Sequence, residues 1–137
     1  MRIGIAGTPG TGKTTVAEAL EQEVISIKDF ARERGLGEEN DIFEIEVEKV
    51  DEELPDDCWV EGHLAHKVGV DYCIVLRTRP DILEQRLSER DYNEEKIQEN
   101  VEEEKMDLIL SEAFEATKIY EIDTTKKSVE EVVEEMN

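Results

Sequence analysis

The chain has 137 residues and a formal net charge of -21, and charged residues make up 39% of it. This length supports one compact domain with its own core, and so negative a field disfavours direct sequence-reading of DNA or RNA. No apolar stretch approaches membrane-spanning length, and the opening MRIGIAGTPG lacks the features of a signal peptide. We therefore expect a soluble, cytoplasmic protein, with one domain over residues 1–137 and no membrane partner.

The first part of the chain predicts a strand, a turn and a helix. Residues 2–6 alternate around β-branched side chains and predict a buried strand, and glycine-rich residues 7–12 predict a turn. Residues 13–23 carry apolar side chains at helical spacing. A second strand is expected at 24–27, followed by a short helix at 29–34.

The middle of the chain predicts two more strands and a capped helix. Residues 40–54 alternate only loosely, so the pattern leaves their structure undecided. Strands are expected at 58–60 and 71–77. A helix should run from Pro80 to about residue 89, with Thr78 as its N-cap.

The last part predicts one long helix at 94–117, a fifth strand at 118–122 and a closing helix at 128–136. Ser128 and Glu131 have the spacing of a capping box at the start of that last helix. Strands that alternate with helices indicate a parallel sheet covered on both faces. We predict a three-layer α/β fold with a five-stranded parallel sheet.

Two cysteines, Cys58 and Cys73, lie inside apolar strand segments. Free cysteine is among the most frequently buried residues, and neither one has a partner at metal-ligand spacing. The sequence therefore predicts buried thiols rather than a zinc site.

The strongest motif spans residues 7–14, GTPGTGKT, and matches G-x-x-x-x-G-K-[ST] at every required position. It follows a predicted strand and opens a predicted helix, which is the context in which backbone N–H groups cradle phosphates. Gly10 and Gly12 should let the backbone wrap around a nucleoside triphosphate, and Lys13 should reach its β- and γ-phosphates. The Thr14 hydroxyl is the predicted Mg²⁺ ligand. The motif indicates the P-loop NTPase fold.

Carboxylates near the same rim are candidates to support that Mg²⁺. Ligands of parallel α/β sheets lie beyond the carboxyl ends of the strands. Glu61 directly follows the strand at 58–60, and Asp29 follows the strand at 24–27. His63, two residues beyond Glu61, is placed to orient a water molecule or a group of a partner.

Several motifs together resemble the adenylate kinases. They are the phosphate loop, an Asp-x-x-Arg helix (Asp29, Arg32), a strand ending in an acid and Gly62, and an Arg-x-x-x-Arg pair (Arg86, Arg90). The segment VLRTRPDILEQRLSERDYNEEKIQENVEEE is similar to the atypical, short-lid branch, the adenylate-kinase-like NTPases associated with small ribosomal subunit maturation. VEKVDEEL also resembles that branch, and the resemblance spans nearly the whole chain.

The resemblance implies functions for individual residues. The phosphate loop would hold ATP, and Arg90 would contact its phosphates when a short lid at about 89–99 closes. The ATP-binding residues would then be Gly10, Gly12, Lys13, Thr14, Thr15 and Arg90. Arg86 would flank the adenine. A monophosphate-binding segment would occupy about 28–51, with Arg32 on the phosphate of AMP and Asp29 beside it. The catalytic set would be Lys13, Arg90, Glu61 and His63.

The chain departs from the adenylate-kinase pattern at three places. Glu61 stands where the branch usually has Asp, which leaves direct or water-mediated contact with Mg²⁺ open. His63, Leu64 and Ala65 replace an arginine that helps to bind AMP in standard adenylate kinases. The later lid arginines are missing, because residues 100–105 are mostly acidic. Fewer cations predict weaker transition-state stabilisation and modest nucleotide specificity.

Three functions remain open at this point. Mg²⁺-dependent transfer of a phosphoryl group from ATP to AMP, accompanied by ATPase activity, is the first. The second is an ATP-switched assembly factor that binds a basic small-subunit ribosomal protein, which the charge of -21 would attract. A small-metabolite kinase is the third; the Asp29/Arg32 segment and the Tyr92-Asn93 lid disfavour it.

Overall fold

The structure is a computed structural model that describes residues 1–40 and 43–136. Its strands are β1 (Arg2–Ala6), β2 (Val24–Ser26), β3 (Gly37–Glu39), β4 (Phe43–Ile45), β5 (Cys58–Glu61), β6 (Tyr72–Arg77) and β7 (Lys118–Asp123). Its α-helices are α1 (Lys13–Ala19), α2 (Ile27–Arg34), α3 (Val47–Glu53), α4 (Pro80–Ser88), α5 (Glu94–Lys105), α6 (Leu108–Ala116) and α7 (Val129–Met136). A 3₁₀ helix covers Ala65–Lys67.

The central sheet has five strands in the order β2-β5-β1-β6-β7, and every neighbouring pair is parallel. Ile5 of β1 pairs with Glu61 of β5 and with Ile74 of β6, so the carboxyl ends of these strands lie at one edge. The predicted five-stranded parallel sheet is confirmed. Residues at that edge are therefore the ones a ligand would meet first.

Helices cover both faces of the sheet, as predicted. One face packs a core of side chains from α1 and α7 around Ile5, Ile74 and Ile122. The other face packs α2, α3 and α6 around Val60, Val75 and Ala6. In the part of the chain that the structure describes, no helix is both long and apolar enough to cross a membrane.

The described part of the segment that the sequence left undecided, residue 40 and residues 43–54, lies outside the central sheet. Strand β4 pairs antiparallel with β3, with Gly37 opposite Ile45, and α3 follows β4. Asp41 and Ile42, which belong to the predicted monophosphate-binding segment, fall outside the described residues. Gly35 ends α2 with φ 66, a left-handed conformation that glycine adopts without strain. The hairpin therefore starts where α2 is stopped.

The prediction of one helix over 94–117 is wrong, because the helix is interrupted between α5 and α6. Asp107 adopts φ 54, which interrupts the helical path. Arg77 explains the break. Its guanidinium donates a hydrogen bond of 3.1 Å to the carbonyl oxygen of Glu104 and also forms an ion pair with the Asp107 carboxylate. A side chain from β6 thus satisfies the end of α5, an interaction that helical periodicity does not encode.

Other local predictions have mixed outcomes. The N-cap of α4 is Arg79 rather than Thr78, whose hydroxyl lies 2.8 Å from that of Thr124. The capping box is confirmed, since Ser128 and Glu131 exchange backbone-to-side-chain hydrogen bonds of 3.2 Å.

The two thiols differ in burial. Cys73 is buried as predicted, and desolvation raises the pKa of its thiol to about 12. Cys58, by contrast, is only half-buried, so the prediction of two buried thiols holds in part.

Candidate active site

The phosphate loop connects β1 to α1 and has the backbone shape that its sequence predicts. Gly10 and Gly12 have φ values of 97 and 94, in a region that side-chain-bearing residues rarely occupy. A Cβ atom on Gly10 would also lie 2.8 Å from Leu83 Cδ1. Glycine at position 10 is therefore required both by the turn and by the packing of α4 against it.

Hydrogen bonds inside the loop hold it in place. The carbonyl oxygen of Thr8 accepts from the Thr11 hydroxyl at 2.8 Å and from Lys13 Nζ at 3.3 Å. No side chain among the described residues caps the start of α1. The amide groups of its first turn therefore face the cleft, where an anion would be stabilised by them.

A cleft of about 1090 Å³ lies over this loop at the carboxyl edge of the sheet. It contains all the residues predicted to be catalytic or ATP-binding, together with Asp29: Gly10, Gly12, Lys13, Thr14, Thr15, Asp29, Glu61, His63 and Arg90. Arg32 is not among the lining residues. The fold thus brings side chains from α1, α2, β5 and the turn after α4 into one space.

Glu61 and Lys13 form the electrostatic centre of the cleft. Glu61 is buried, and desolvation raises the pKa of its carboxyl group against the opposing effect of Lys13. Desolvation is the largest effect on Lys13 and lowers its pKa; Glu61 opposes this effect and Arg90 adds to it, so that the pKa is about 8. The negative charge of a phosphate that entered the cleft would offset the free-energy cost of burying the charged Lys13 ammonium group.

His63 lies on the cleft wall beyond Glu61. Desolvation, followed by the charges of Lys13, His66 and other groups, lowers its pKa to about 4. The side chain is also exposed, so water offsets part of this desolvation. The imidazole is neutral at physiological pH and is able to accept a hydrogen bond.

A second cavity of about 380 Å³ adjoins the phosphate loop on the side of α7. Arg86, Thr124 and Lys127 line it, and Arg86 Nη1 donates 3.1 Å to the Thr78 hydroxyl. Arg90 borders both cavities. The prediction that Arg86 flanks a base is consistent with this place in the fold.

Arg32 is an exposed residue of α2. Its guanidinium is 3.4 Å from the Glu39 carboxylate and 4.9 Å from the centre of the Phe43 ring. Phe43 itself lines the cleft, as does Asp29 on the same helix as Arg32. Contact between Arg32 and a monophosphate stays a prediction.

The cleft also contains side chains that the sequence reasoning missed. Lys28 enters from α2, and Lys96, Asn100 and Glu103 enter from α5. The last three are spaced i, i+4 and i+7, so they share one helix face beside the apolar stripe of Ile97 and Val101. That spacing is the signal that could have revealed them.

Two other conspicuous residues have structural contacts instead. His66 is buried, and its Nε2 lies 3.0 Å from Glu112 Oε1. Arg77, at the end of β6, pairs with Glu104, Asp107 and Glu121.

The fold and the phosphate loop together define a P-loop nucleotide-binding protein. Residues 3–107 match a family described as an AAA domain. Relatives from Pyrococcus abyssi (46% identical, 99% of this chain and 82% of the relative) and Natronomonas pharaonis (44% identical, 98% and 86%) are provisionally named adenylate kinases. The chain therefore belongs to the adenylate-kinase-like family of P-loop proteins.

Solved structures agree on the fold. Shikimate kinase from Bacteroides thetaiotaomicron superposes with a TM-score of 0.62 at 18% identity, over 99% of this chain and 95% of that one. Deoxyadenosine kinase from M. mycoides with bound dATP gives 0.60 at 15% identity, over 99% and 97%. These likenesses show a P-loop kinase fold.

Proposed function

We propose that this chain is a nucleoside monophosphate kinase of the adenylate-kinase type, which transfers the γ-phosphoryl group of ATP to AMP. The continuity of the cleft supports this function most strongly. The phosphate loop borders two spaces, which are the second cavity beside Arg86 and the main cleft, whose lining includes Phe43 and Ile45. The cleft alone is at the upper limit of a single small-ligand site, about 1,000 Å³. Two nucleotides meeting at the loop would account for that size.

Positioning is the main contribution of the protein to this reaction. The loop amides and Lys13 hold the triphosphate, and the adenine of ATP enters the cavity beside Arg86 and Thr124. A phosphate oxygen of AMP forms a bond to the γ-phosphorus, and the bond to the β,γ-bridging oxygen breaks, which yields two ADP. No protein nucleophile is needed. Lys13 and Arg90 stabilise charge on the transferred group.

Two oxygen donors in the cleft fit Mg²⁺, which prefers hard ligands and keeps several waters. These are the Thr14 hydroxyl, next to Lys13, and the buried Glu61 carboxylate. Within the described residues no cluster of three or more His, Cys, Asp or Glu side chains could hold a metal ion, so the nucleotide would supply most of its ligands. When bound, Mg²⁺ neutralises charge on the phosphates.

Slow ATP hydrolysis is a second activity of the same site. Burial raises the pKa of Glu61 toward that of a general base, and neutral His63 stands on the same wall. Together they can orient a water molecule when no acceptor is present. This ATPase activity would accompany the kinase activity.

A role in small ribosomal subunit and rRNA maturation extends the proposal beyond the site. It is supported by the net charge of -21, which attracts a basic ribosomal protein, and by the family resemblance. Co-purification of such a protein at low salt, with release on addition of ATP, is the expected result. Absence of binding at low salt, where attraction is least screened, would refute it.

Product analysis with ATP and Mg²⁺, with and without AMP, tests the kinase proposal. We expect two ADP for each AMP consumed and little free phosphate. Lys13→Ala should abolish both products, whereas Lys118→Ala, an exposed lysine at the start of β7, should behave as wild type. Free phosphate released equally with and without AMP, with no ADP formed from AMP, would overturn the kinase assignment and leave ATP hydrolysis.

A further inference from the structure

Asn100 is the most unusual polar side chain of the cleft. It is only 3% exposed, and its Nδ2 has no hydrogen-bond partner among residues 1–40 and 43–136. A buried amide donor without an acceptor destabilises a fold, and such groups are rare in native proteins. Because Asn100 also lines the cleft, a ligand there is able to supply the missing acceptor.

The helix that carries Asn100 is fixed on both sides of it. Ile97 and Val101 pack with Leu83 and Leu87 of α4. One turn later, the buried Glu104 accepts hydrogen bonds from the Thr8 hydroxyl, Arg77 Nε and the Thr78 amide, at 3.2, 3.2 and 2.8 Å. Asn100 is therefore unable to turn toward solvent unless α5 itself moves.

The surroundings of Asn100 identify which part of the cleft it serves. Lys96, one turn earlier on the same face, also lines the cleft, and its charge acts on His63 across it. Neither Lys96 nor Asn100 borders the cavity beside Arg86, where we place the base of ATP. Both line only the main cleft, whose lining also includes Phe43 and Ile45.

We propose that Lys96 and Asn100 form the phosphate-binding wall of the acceptor subsite, with Asn100 Nδ2 donating a hydrogen bond to a phosphate oxygen of the monophosphate. This inference rests on the proposed kinase function and assigns its acceptor contacts to α5. A phosphate monoester dianion suits this wall, since it accepts from the amide and is attracted by the lysine. The wall compensates for the arginines that the acidic segment 100–105 lacks.

Calorimetric titration of AMP, together with steady-state kinetics and thermal unfolding, tests the assignment in two variants. Asn100→Leu removes the donor at similar volume, and Lys96→Ala removes the charge. Gln98→Leu and Lys105→Ala are matched controls, because both residues are exposed on α5 and outside the cleft lining.

We expect Asn100→Leu to weaken AMP binding about tenfold to a hundredfold, with a smaller change for ATP, as for loss of a hydrogen bond to a charged group. The same variant should raise the melting temperature of the free protein, because an unpaired buried donor is gone. Lys96→Ala should weaken AMP binding as well. The controls should bind AMP as wild type does.

The possible failures are distinguishable. If the wild type binds AMP but forms no ADP from it, and both variants bind AMP more weakly, the kinase function is wrong and the phosphate wall stands. If it makes ADP while Asn100→Leu and Lys96→Ala bind AMP normally, the wall is wrong and the kinase function stands. A wild type that does not bind AMP overturns both. A lower melting temperature with unchanged AMP affinity would make Asn100 merely structural.

Discussion

The two ends of the cleft are built in different ways. At the donor end, a continuous segment from Gly10 to Thr15 supplies the loop, and its own hydrogen bonds to Thr8 hold it. At the acceptor end, the lining side chains come from separate elements: Lys28 from α2, Phe43 from β4 and Asn100 from α5. Under the proposed function, one contiguous segment holds the triphosphate, whereas side chains from several elements hold the acceptor. Substitutions can therefore change the acceptor end without disturbing the donor end.

The ends also differ in how they use charge. Lys13 at the donor end lies in the field of the buried Glu61, while the acceptor end combines Lys28 and Lys96 with the acids Asp29 and Glu103. The variants below separate the two ends, beginning with the residue between them.

Glu61→Gln should have the largest effect. Loss of the carboxylate that supports Mg²⁺ should lower kcat about a hundredfold, as for removal of one electrostatic contact in a catalytic site. The free protein should become more stable at neutral pH, because burial raises the pKa of Glu61 and its ionisation disfavours the folded state.

The sign of the pH effect follows from the same shift. Wild-type Glu61 takes up its proton as the pH falls, so the stability advantage of the variant should shrink toward pH 4.5, the ordinary value for Glu. Initial rates and thermal unfolding at several pH values measure both effects. A destabilised variant with normal kcat would make Glu61 a structural residue.

Glu104→Ala tests whether α5 connects the two ends. The buried carboxylate joins Thr8 of the phosphate loop to Arg77 and to the helix bearing the acceptor wall. Its removal should lower the free energy of unfolding by about 3 kcal/mol, since Arg77 and the Thr78 amide lose a buried partner. Urea unfolding provides the measurement.

Glu102→Ala is the control for that change. Glu102 is an exposed acid on the same helix, 3.5 Å from Lys105, and its loss should cost at most about 0.5 kcal/mol. Equal costs for the two variants would disprove the coupling through Glu104.

The pH dependence of nucleotide affinity should distinguish the ends. Because desolvation lowers the pKa of Lys13 to about 8, the free protein loses this charge above that pH. ATP affinity should then fall by up to about tenfold per pH unit, and AMP affinity, which does not use Lys13, should fall less. Calorimetry from pH 7 to 9.5 measures both. Parallel curves for ATP and AMP would contradict the division.

Arg32→Ala should have the smallest effect. Arg32 is exposed and already engaged with Glu39 and Phe43, so its loss should raise the KM for AMP about two- to fivefold. Arg34→Ala is the control, because Arg34 makes similar contacts, with Glu53 and Phe30, at the other side of α2. Equal KM values for both variants would remove Arg32 from the acceptor site.

Accuracy of the sequence-based expectations depended on the range of the interactions involved. The order of strands and helices along the chain and the capping box at Ser128 were predictable, because hydrophobic periodicity and cap spacing involve only residues close together in sequence. The break at Asp107 was not, since Arg77, thirty positions away, ends α5. Thr78 failed as a cap for a similar reason: its hydroxyl is engaged by Thr124 of a distant segment.

The sequence by itself determined the phosphate loop, the parallel α/β fold and the family, because these depend on contiguous residues whose backbone and periodicity carry the information. Only the tertiary structure decided which side chains line the cleft. It placed Lys96 and Asn100 in that lining and Arg32 outside it, and it left the Asn100 amide nitrogen without a partner within the described chain. The physical reason is that α2 and α5 pack against different parts of the molecule. Contacts between residues far apart in sequence therefore determine how the two helices are placed relative to each other.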